Sequence, residues 1–350
     1  MQKFSLKTLA GGLALGLGVG LALGLPSLGN AAEFTFKLHH FAPPKAPTNA
    51  ALAVPWAKRI EKASGGRIKI DVYPSMQLGG KPPQLIQQVK DGVADIVWTL
   101  PGYSPGRFLN HEVFELPFMH TTTYATNMAM QDFMAKHGEE YKDIKVLMFH
   151  VHAGQVFHSV DPIRTADDLA GHKVRTPTRT GGWVIEALGS TPIGVPVPKI
   201  PEMLTKKIVD TVIIPYEIAL PLKVHEMVDN HMIFDDPANP RINTSVFLFA
   251  MNKAKYDALP ADLKKVIDDN SGRTLAIEMA KVWDAVEVPG EAAAKKSGTI
   301  YKMPLSEVLK VRAKVEQPVI DRWKKVAAEK GVDGQALIDE ARGLIAKYSK

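Results

Sequence analysis

From Glu33 the chain alternates apolar and polar residues, with Phe34, Phe36 and Leu38 on one side and Thr35 and Lys37 on the other. A period of two predicts a half-buried strand. It runs out in His39-His40-Phe41-Ala42-Pro43-Pro44, a loop sequence. The apolar spacing then becomes helical from about Asn49 to Ala63 and is closed by Ser64-Gly65-Gly66. Alternation returns from Arg67 to Tyr73 and stops at Pro74; Leu85 to Lys90 reads as a helix ending at Asp91-Gly92; Ala94 to Thr99 is a short apolar strand ending before Pro101-Gly102. Strand, helix, strand, helix, strand predicts parallel pairing with right-handed crossovers. Ligands of such sheets bind beyond the carboxyl ends of the strands, here the Gly- and Pro-rich loops at 39–47, 74–81 and 100–107.

The rhythm restarts near residue 150. Strands are predicted at Lys145–His152, Gln155–Ser159, Lys173–Thr176 and Ile208–Ile214, with helices at Thr165–Leu169 and Gly181–Leu188. Thr165 caps the first of these helices, ahead of Asp167 and Asp168. Thr244 to Met251 reads as a strand returning to the first unit, and from Ala261 the pattern is helical: 261 to about 287, 305–330 and 334–347. The predicted architecture is α/β and two-lobed, with hinge strands near Ala153-Gly154 and Asp235–Pro237 and helices across both lobes. The first lobe takes residues 33–153 and about 235–260, the second 154–234, and the helical region about 261–350.

Residues 1–32 follow another logic. Lys3 and Lys7 precede an apolar run from Leu9 to Leu25, followed by Pro26-Ser27 and the small residues Gly29-Asn30-Ala31-Ala32. That order is a secretory signal peptide, with cleavage expected after Ala31 or Ala32 and release of the mature protein into the periplasm. No later stretch is apolar enough to span a bilayer. The chain has no cysteine, which excludes disulfides, thiolate metal sites, thiol nucleophiles and a lipidated N-terminal cysteine. Its formal charge of +6 is dispersed, as in Lys58-Arg59-Ile60-Glu61-Lys62, with no basic and aromatic cluster of the kind nucleic acid requires. Nucleophile elbow, phosphate loop and metalloprotease motifs are absent from the sequence, so neither an enzyme nor a cofactor is expected.

Several stretches resemble the solute-binding subunits of tripartite ATP-independent periplasmic (TRAP) transporters, the DctP-like family. They are Trp56 to Ile70, Gln77-Leu78-Gly79-Gly80, Gln88 to Ile96, Glu115-Leu116-Pro117-Phe118, Thr165 to Arg175 and Val209-Asp210-Thr211. The resemblance implies a periplasmic binding protein fold of two α/β lobes with hinge strands and a long helix across both. It also implies a small organic carboxylate as ligand and membrane permease subunits as partners.

Arg175 ends a strand before Thr176-Pro177, so its side chain projects toward the cleft. A guanidinium offers paired donors to a carboxylate at any relevant pH, and the family's carboxylate-clamping arginine falls here. The competing reading is a surface pair with Asp167 or Asp168. Gln155 stands where some family members carry a second arginine, and it brings hydrogen bonds without charge. Leu100, Tyr103 and Ile214 stand where sialic-acid binders carry polar groups. Trp98, Phe41 and Tyr216 add aromatic surface, each with ordinary core packing as its alternative. Arg179, at a helix start, is a further candidate contact, and His40 is the histidine expected to line the pocket. Glu217 is expected to pair with Lys223. His150 and His152 share one side of a strand, a spacing metals tolerate, but no carboxylate pair accompanies them, so no metal site is expected. One arginine among apolar walls suits a monocarboxylate with an aromatic or hydrocarbon body. A periplasmic hydrolase or lyase acting on a carboxylate, and a ligand-sensing partner of a membrane sensor kinase, are the alternative functions.

Overall fold

The computed structural model describes residues 32–350, and the expected leader lies outside them except for Ala32. Two sheets organise the chain. The first contains β1 (Phe34–His40), β2 (Ile68–Tyr73), β3 (Ile96–Thr99) and β4 (Ile144–Val151), with a late strand, β10 (Val246–Asn252), in the order β2-β1-β3-β10-β4. β1 runs parallel to β2, with Phe34 opposite Ile68 and Leu38 opposite Val72, and parallel to β3. β10 is antiparallel to both β3 and β4. The crossovers are the predicted helices, α1 (Val54–Ala63) and α2 (Leu85–Asp91), the second stopped by Gly92 at φ 75°. That left-handed turn is one that glycine enters without steric cost.

The second sheet holds β5 (Val156–Ser159), β6 (Lys173–Thr176), β7 (Thr191–Gly194), β8 (Thr211–Ile214), β9 (Asn230–Phe234) and β11 (Thr299–Met303), in the order β11-β9-β5-β8-β6-β7. Its helices are α4 (Arg179–Ala187), α5 (Ile200–Thr205) and the single turn α6 (Tyr216–Ala219). α7 (Lys253–Asp257) and α8 (Ala261–Asp269) follow β10.

Three expectations are corrected. Residues 165–169 form a turn and not a helix, because Asp168 Oδ2 accepts from the backbone N–H groups of Arg164 and Thr165 at 2.9 and 2.8 Å. A carboxylate that satisfies local donors this way removes the need for helical bonds. The helix expected from 261 breaks at Asn270-Ser271, and α9 (Gly272–Ser297) then continues through Pro289. The region after 261 is not wholly helical, since β11 adds parallel to β9 at the edge of the second sheet. A helix with no counterpart in the sequence pattern, α3 (Thr123–His137), is buried on most sides and so lacks the polar face that marks a surface helix.

α9 packs against α3 and β4 in the first lobe and against α6 and β11 in the second. A Cβ at its Gly290 would stand 2.3 Å from the carbonyl oxygen of Tyr216, so only glycine lets the helix approach α6 this closely. α10 (Leu305–Glu329) leans on α4, and α11 (Gly334–Tyr348) turns back onto α3. The chain is thus two α/β lobes with a long helix across both. The connections β4 to β5 and β9 to β10 cross side by side. Gly154, at φ 102°, lets Arg241 pass where a Cβ would be 2.4 Å from Arg241 Cβ, and Gln155 N–H donates to Asn243 O at 2.9 Å. Among the described residues no helix is long and apolar enough to cross a membrane.

Candidate functional site

The carboxyl ends of β1 and β3 face the ends of β6 and β8 across the lobes and enclose a small cavity, in which the centre of a water-sized sphere can move through about 30 Å³. Six residues singled out from the sequence line it: Arg175, Gln155, Trp98, Phe41, Leu100 and Ile214.

Arg175 is 1% exposed. Its Nε donates to Val195 O at 2.9 Å and its Nη1 to Ile213 O at 3.2 Å, which fixes the plane of the guanidinium. Nη2 is buried and has no partner, and among the described residues no carboxylate lies within 4 Å of the group. The competing surface pair does not form: Asp167 takes Lys314 at 2.7 Å and Asp168 holds its own turn. Burial draws the Arg175 pKa below its ordinary value, and the Tyr103 phenol opposes that shift. An arginine starts so high that it stays charged. The cavity thus receives one positive charge with donors to spare.

Gln155 donates through Nε2 to Ser245 Oγ at 2.9 Å, while its buried Oε1 is unpartnered. The walls are aromatic. Phe41 lies 5.0 Å from Trp98 between ring centroids, and Trp98 stacks on Phe247 at 4.6 Å and 13°. Trp98 Nε1 donates to His150 Nε2 at 2.8 Å, so His150 is committed inside the core. Leu100 and Ile214, both buried, complete the apolar lining.

Four expected site residues lie outside this lining. His40 sits behind it, with Nε2 bonded to Asn49 Oδ1 at 3.1 Å and its pKa lowered to about 4 by burial. Tyr103 borders an adjoining outer cleft, where its Oη accepts from Val197 N–H at 3.1 Å and its ring lies 5.5 Å from Phe41. Tyr216 is wholly buried against His158, with Arg241 over its ring. Arg179 makes a fork across the lobes, donating from Nε and Nη2 to the two carboxylate oxygens of Glu112, each at 2.7 Å. Trp323 Nε1 also donates to Glu112, at 3.1 Å.

The histidine that lines the cavity is His152, and the expected Glu217–Lys223 pair is replaced by Lys223–Glu226. Glu217 instead faces the cavity, and burial, reinforced by the charge of Glu287, pushes its carboxyl well above the usual range. Phe247 and His152 were not anticipated. Phe247 reads as one more apolar residue of a buried strand, and only the insertion of β10 beside β3 brings it to Trp98. Among the described residues no group of three or more metal-ligating side chains gathers.

Residues 38–326 match the family described as bacterial extracellular solute-binding protein, family 7, the DctP family. The chain belongs to the DctP family. Among solved DctP relatives, a TRAP solute-binding protein from Rhodoferax ferrireducens, in complex with copurified benzoate, is 43% identical with a TM-score of 0.87. That match covers 90% of this chain and 98% of the other. A marine metagenome TRAP solute-binding protein specific for aromatic acid ligands, in complex with 3-hydroxybenzoate, is 41% identical with a TM-score of 0.88, covering 91% of this chain and 100% of that one. A curated relative, an outer membrane transporter protein from Comamonas testosteroni, is 29% identical over 92% of this chain and 95% of its own length. The DctP family and these two solved neighbours are solute-binding receptors rather than enzymes. TRAP solute-binding proteins bind small carboxylates and work with membrane components, and this chain is one of them.

Proposed function

We propose that this receptor captures an aromatic, or similarly apolar, monocarboxylate in the interlobe cavity. It does so in the periplasm after loss of its leader, and hands the ligand to the permease subunits of a TRAP transporter. The observation that carries the ligand class is Arg175: a fully buried guanidinium, held by two backbone carbonyls, with an unpartnered Nη2 at a cavity walled largely by apolar and aromatic side chains. A carboxylate supplies the missing acceptors and the missing charge together. Gln155 Oε1 adds a neutral acceptor for a ligand hydroxyl. Phe41, Trp98, Phe247, Leu100 and Ile214 suit a ring, which gains about 25 cal/mol for each Å² of apolar area buried. A second carboxylate against Leu100 or Ile214 would be desolvated without a partner. The aromatic acids bound by the two solved relatives, benzoate and 3-hydroxybenzoate, fit the same reading.

Titration calorimetry in one buffer with benzoate, 3-hydroxybenzoate, phenylacetate, succinate, malate and sialic acid tests it. At least tenfold preference for an aromatic monocarboxylate is expected, about 1.4 kcal/mol. A dicarboxylate or the sugar acid binding tighter than every aromatic acid would overturn the assignment of the cavity walls.

A further inference from the structure

Besides Arg175 and Gln155, the polar side chains of Glu217 and His152 line the cavity. Glu217 is the second residue of α6 and is 6% exposed. Among the described residues no cation lies within 4 Å of its carboxyl: Lys223 is taken by Glu226, and Arg241 stands 3.8 Å from Glu287. Its position is fixed from behind, since its own N–H donates to Glu287 Oε1 at 2.7 Å and Gly290 of the same helix is pressed against Tyr216. His152 comes from the other lobe, just past the end of β4. The backbone N–H of Gly154 donates to its Nδ1 at 2.9 Å, so Nδ1 is the acceptor and the ring proton sits on Nε2. Among the described residues Nε2 has no hydrogen-bond partner, and the ring lines the cavity.

We propose that His152 and Glu217 form a second polar pole of the cavity, which hydrogen-bonds a hydroxyl or oxo substituent on the ligand and so selects hydroxylated over unsubstituted aromatic monocarboxylates. This rests on the reading of the cavity given above. Both groups are held in their neutral forms by burial: the His152 pKa lies well below its ordinary value and that of Glu217 well above. A neutral imidazole Nε2–H donates, while a protonated carboxyl both donates and accepts, so a phenolic hydroxyl satisfies either. An unsubstituted ring leaves both buried and unpaired, and sites built to bond a hydroxyl discriminate strongly against the analogue that lacks it. Among the described residues the Glu217 carboxyl has no cation within 4 Å, so a second carboxylate set against it would be desolvated without a partner. Arg175, on β6, supplies the charged pole, so one cavity reads charge with one set of residues and ring substitution with another.

The experiment is calorimetry with benzoate, 3-hydroxybenzoate, 4-hydroxybenzoate and isophthalate on the wild-type chain and on Glu217→Leu, Glu217→Gln and His152→Phe. The wild type is expected to bind one of the two hydroxybenzoates at least tenfold tighter than benzoate and to reject isophthalate. Glu217→Leu and His152→Phe should each lower that hydroxybenzoate-to-benzoate ratio at least fivefold. Glu217→Gln, which keeps a donor and an acceptor in nearly the same volume, should preserve it. A wild type that binds benzoate as tightly as both hydroxybenzoates overturns the second pole and leaves the aromatic reading standing, as does a ratio unchanged in both the leucine and the phenylalanine variants. If no benzoate derivative binds the wild type, the aromatic reading fails and the second pole falls with it. Should Glu217→Leu fail to fold, the His152→Phe ratio and the wild-type preference still decide.

Discussion

Replacing Arg175 by methionine separates what the residue does for the ligand from what it does for the fold. The guanidinium is 1% exposed and has no carboxylate within 4 Å among the described residues, so the protein bears the cost of a buried charge, several kcal/mol after relaxation. Against that, a methionine side chain leaves the Val195 and Ile213 carbonyls without their side-chain donors, at most about 1–3 kcal/mol each. The two effects oppose each other and are of similar size. The melting temperature of the ligand-free variant should therefore stay within about 5 °C of the wild type, given about 2–4 °C per kcal/mol for chains of this order. Binding has no such compensation. Losing a bidentate, desolvated pair costs about 2–5 kcal/mol, or from about 30-fold to several thousand-fold in affinity. Benzoate at a hundred times its wild-type dissociation constant stabilises the wild type by about 2.7 kcal/mol, a rise of roughly 5–10 °C. In Arg175→Met that rise should vanish. Arg175→Lys should recover only part of it, since an ammonium cannot present paired donors. A methionine variant that keeps the full shift removes Arg175 from the site. One that binds normally but melts far lower shows a structural residue instead.

Three further outcomes are expected. Gly290→Ala should destabilise by about 1–3 kcal/mol or more, because its Cβ meets the Tyr216 backbone at 2.3 Å, whereas Gly343→Ala, on α11 with nothing within 4 Å, should stabilise by up to about 1 kcal/mol; urea denaturation of both compares the signs. Stability should fall on acidification from pH 6.5 toward 4.5. His40, His111, His120, His150 and His231 have folded pKa values near 3 or 4, and His152 and His158 lie well below 6.5, so the unfolded chain takes up these protons first. Glu115 and Glu287, raised to about 7, and Glu217 oppose this over the same window but are outnumbered; each net proton is worth about 1.4 kcal/mol per pH unit, and a urea midpoint unchanged between pH 5 and 7 would refute the argument. Small-angle scattering should show compaction on saturation with benzoate, because a ligand bridging both lobes favours the closed state; identical profiles would speak against a hinge at the Gly154 and Arg241 crossing.

Local pattern made part of this legible. Phe41, Trp98 and Arg175 stand at or just beyond the carboxyl end of a strand, and strand ends are readable from alternation and the breakers that follow, whereas Leu100 and Ile214 come from the family resemblance, which also singles out Arg175. Arg179 stands at a comparable position, yet a long-range partner, Glu112, takes it out of the site. Phe247 and His152 depend on β10 lying between β3 and β4, a pairing that no window of sequence contains. α3 escaped because burial on most sides erases the polar stripe, and β11 because a five-residue edge strand between two long helices carries too few residues to establish a period. The turn at 165–169 shows the opposite error. Its capping residues were recognised correctly, but they close on themselves and start no helix.

The place of β10 also bears on how the molecule is made. A chain that emerges N-terminus first delivers β1 to β4 early, but β4 does not touch β3; the strand that joins them arrives only after the whole central part of the second sheet. Until then β3 and β4 present open edges, Ile96–Thr99 and Ile144–Val151, both strongly apolar. The second sheet in turn waits for β11, which follows α9. Neither lobe can therefore finish ahead of the other, and such long-range pairing is slow. The interleaving that sets Phe247 against Trp98 makes the two halves one folding unit, whose strand edges stay open until β10 is made.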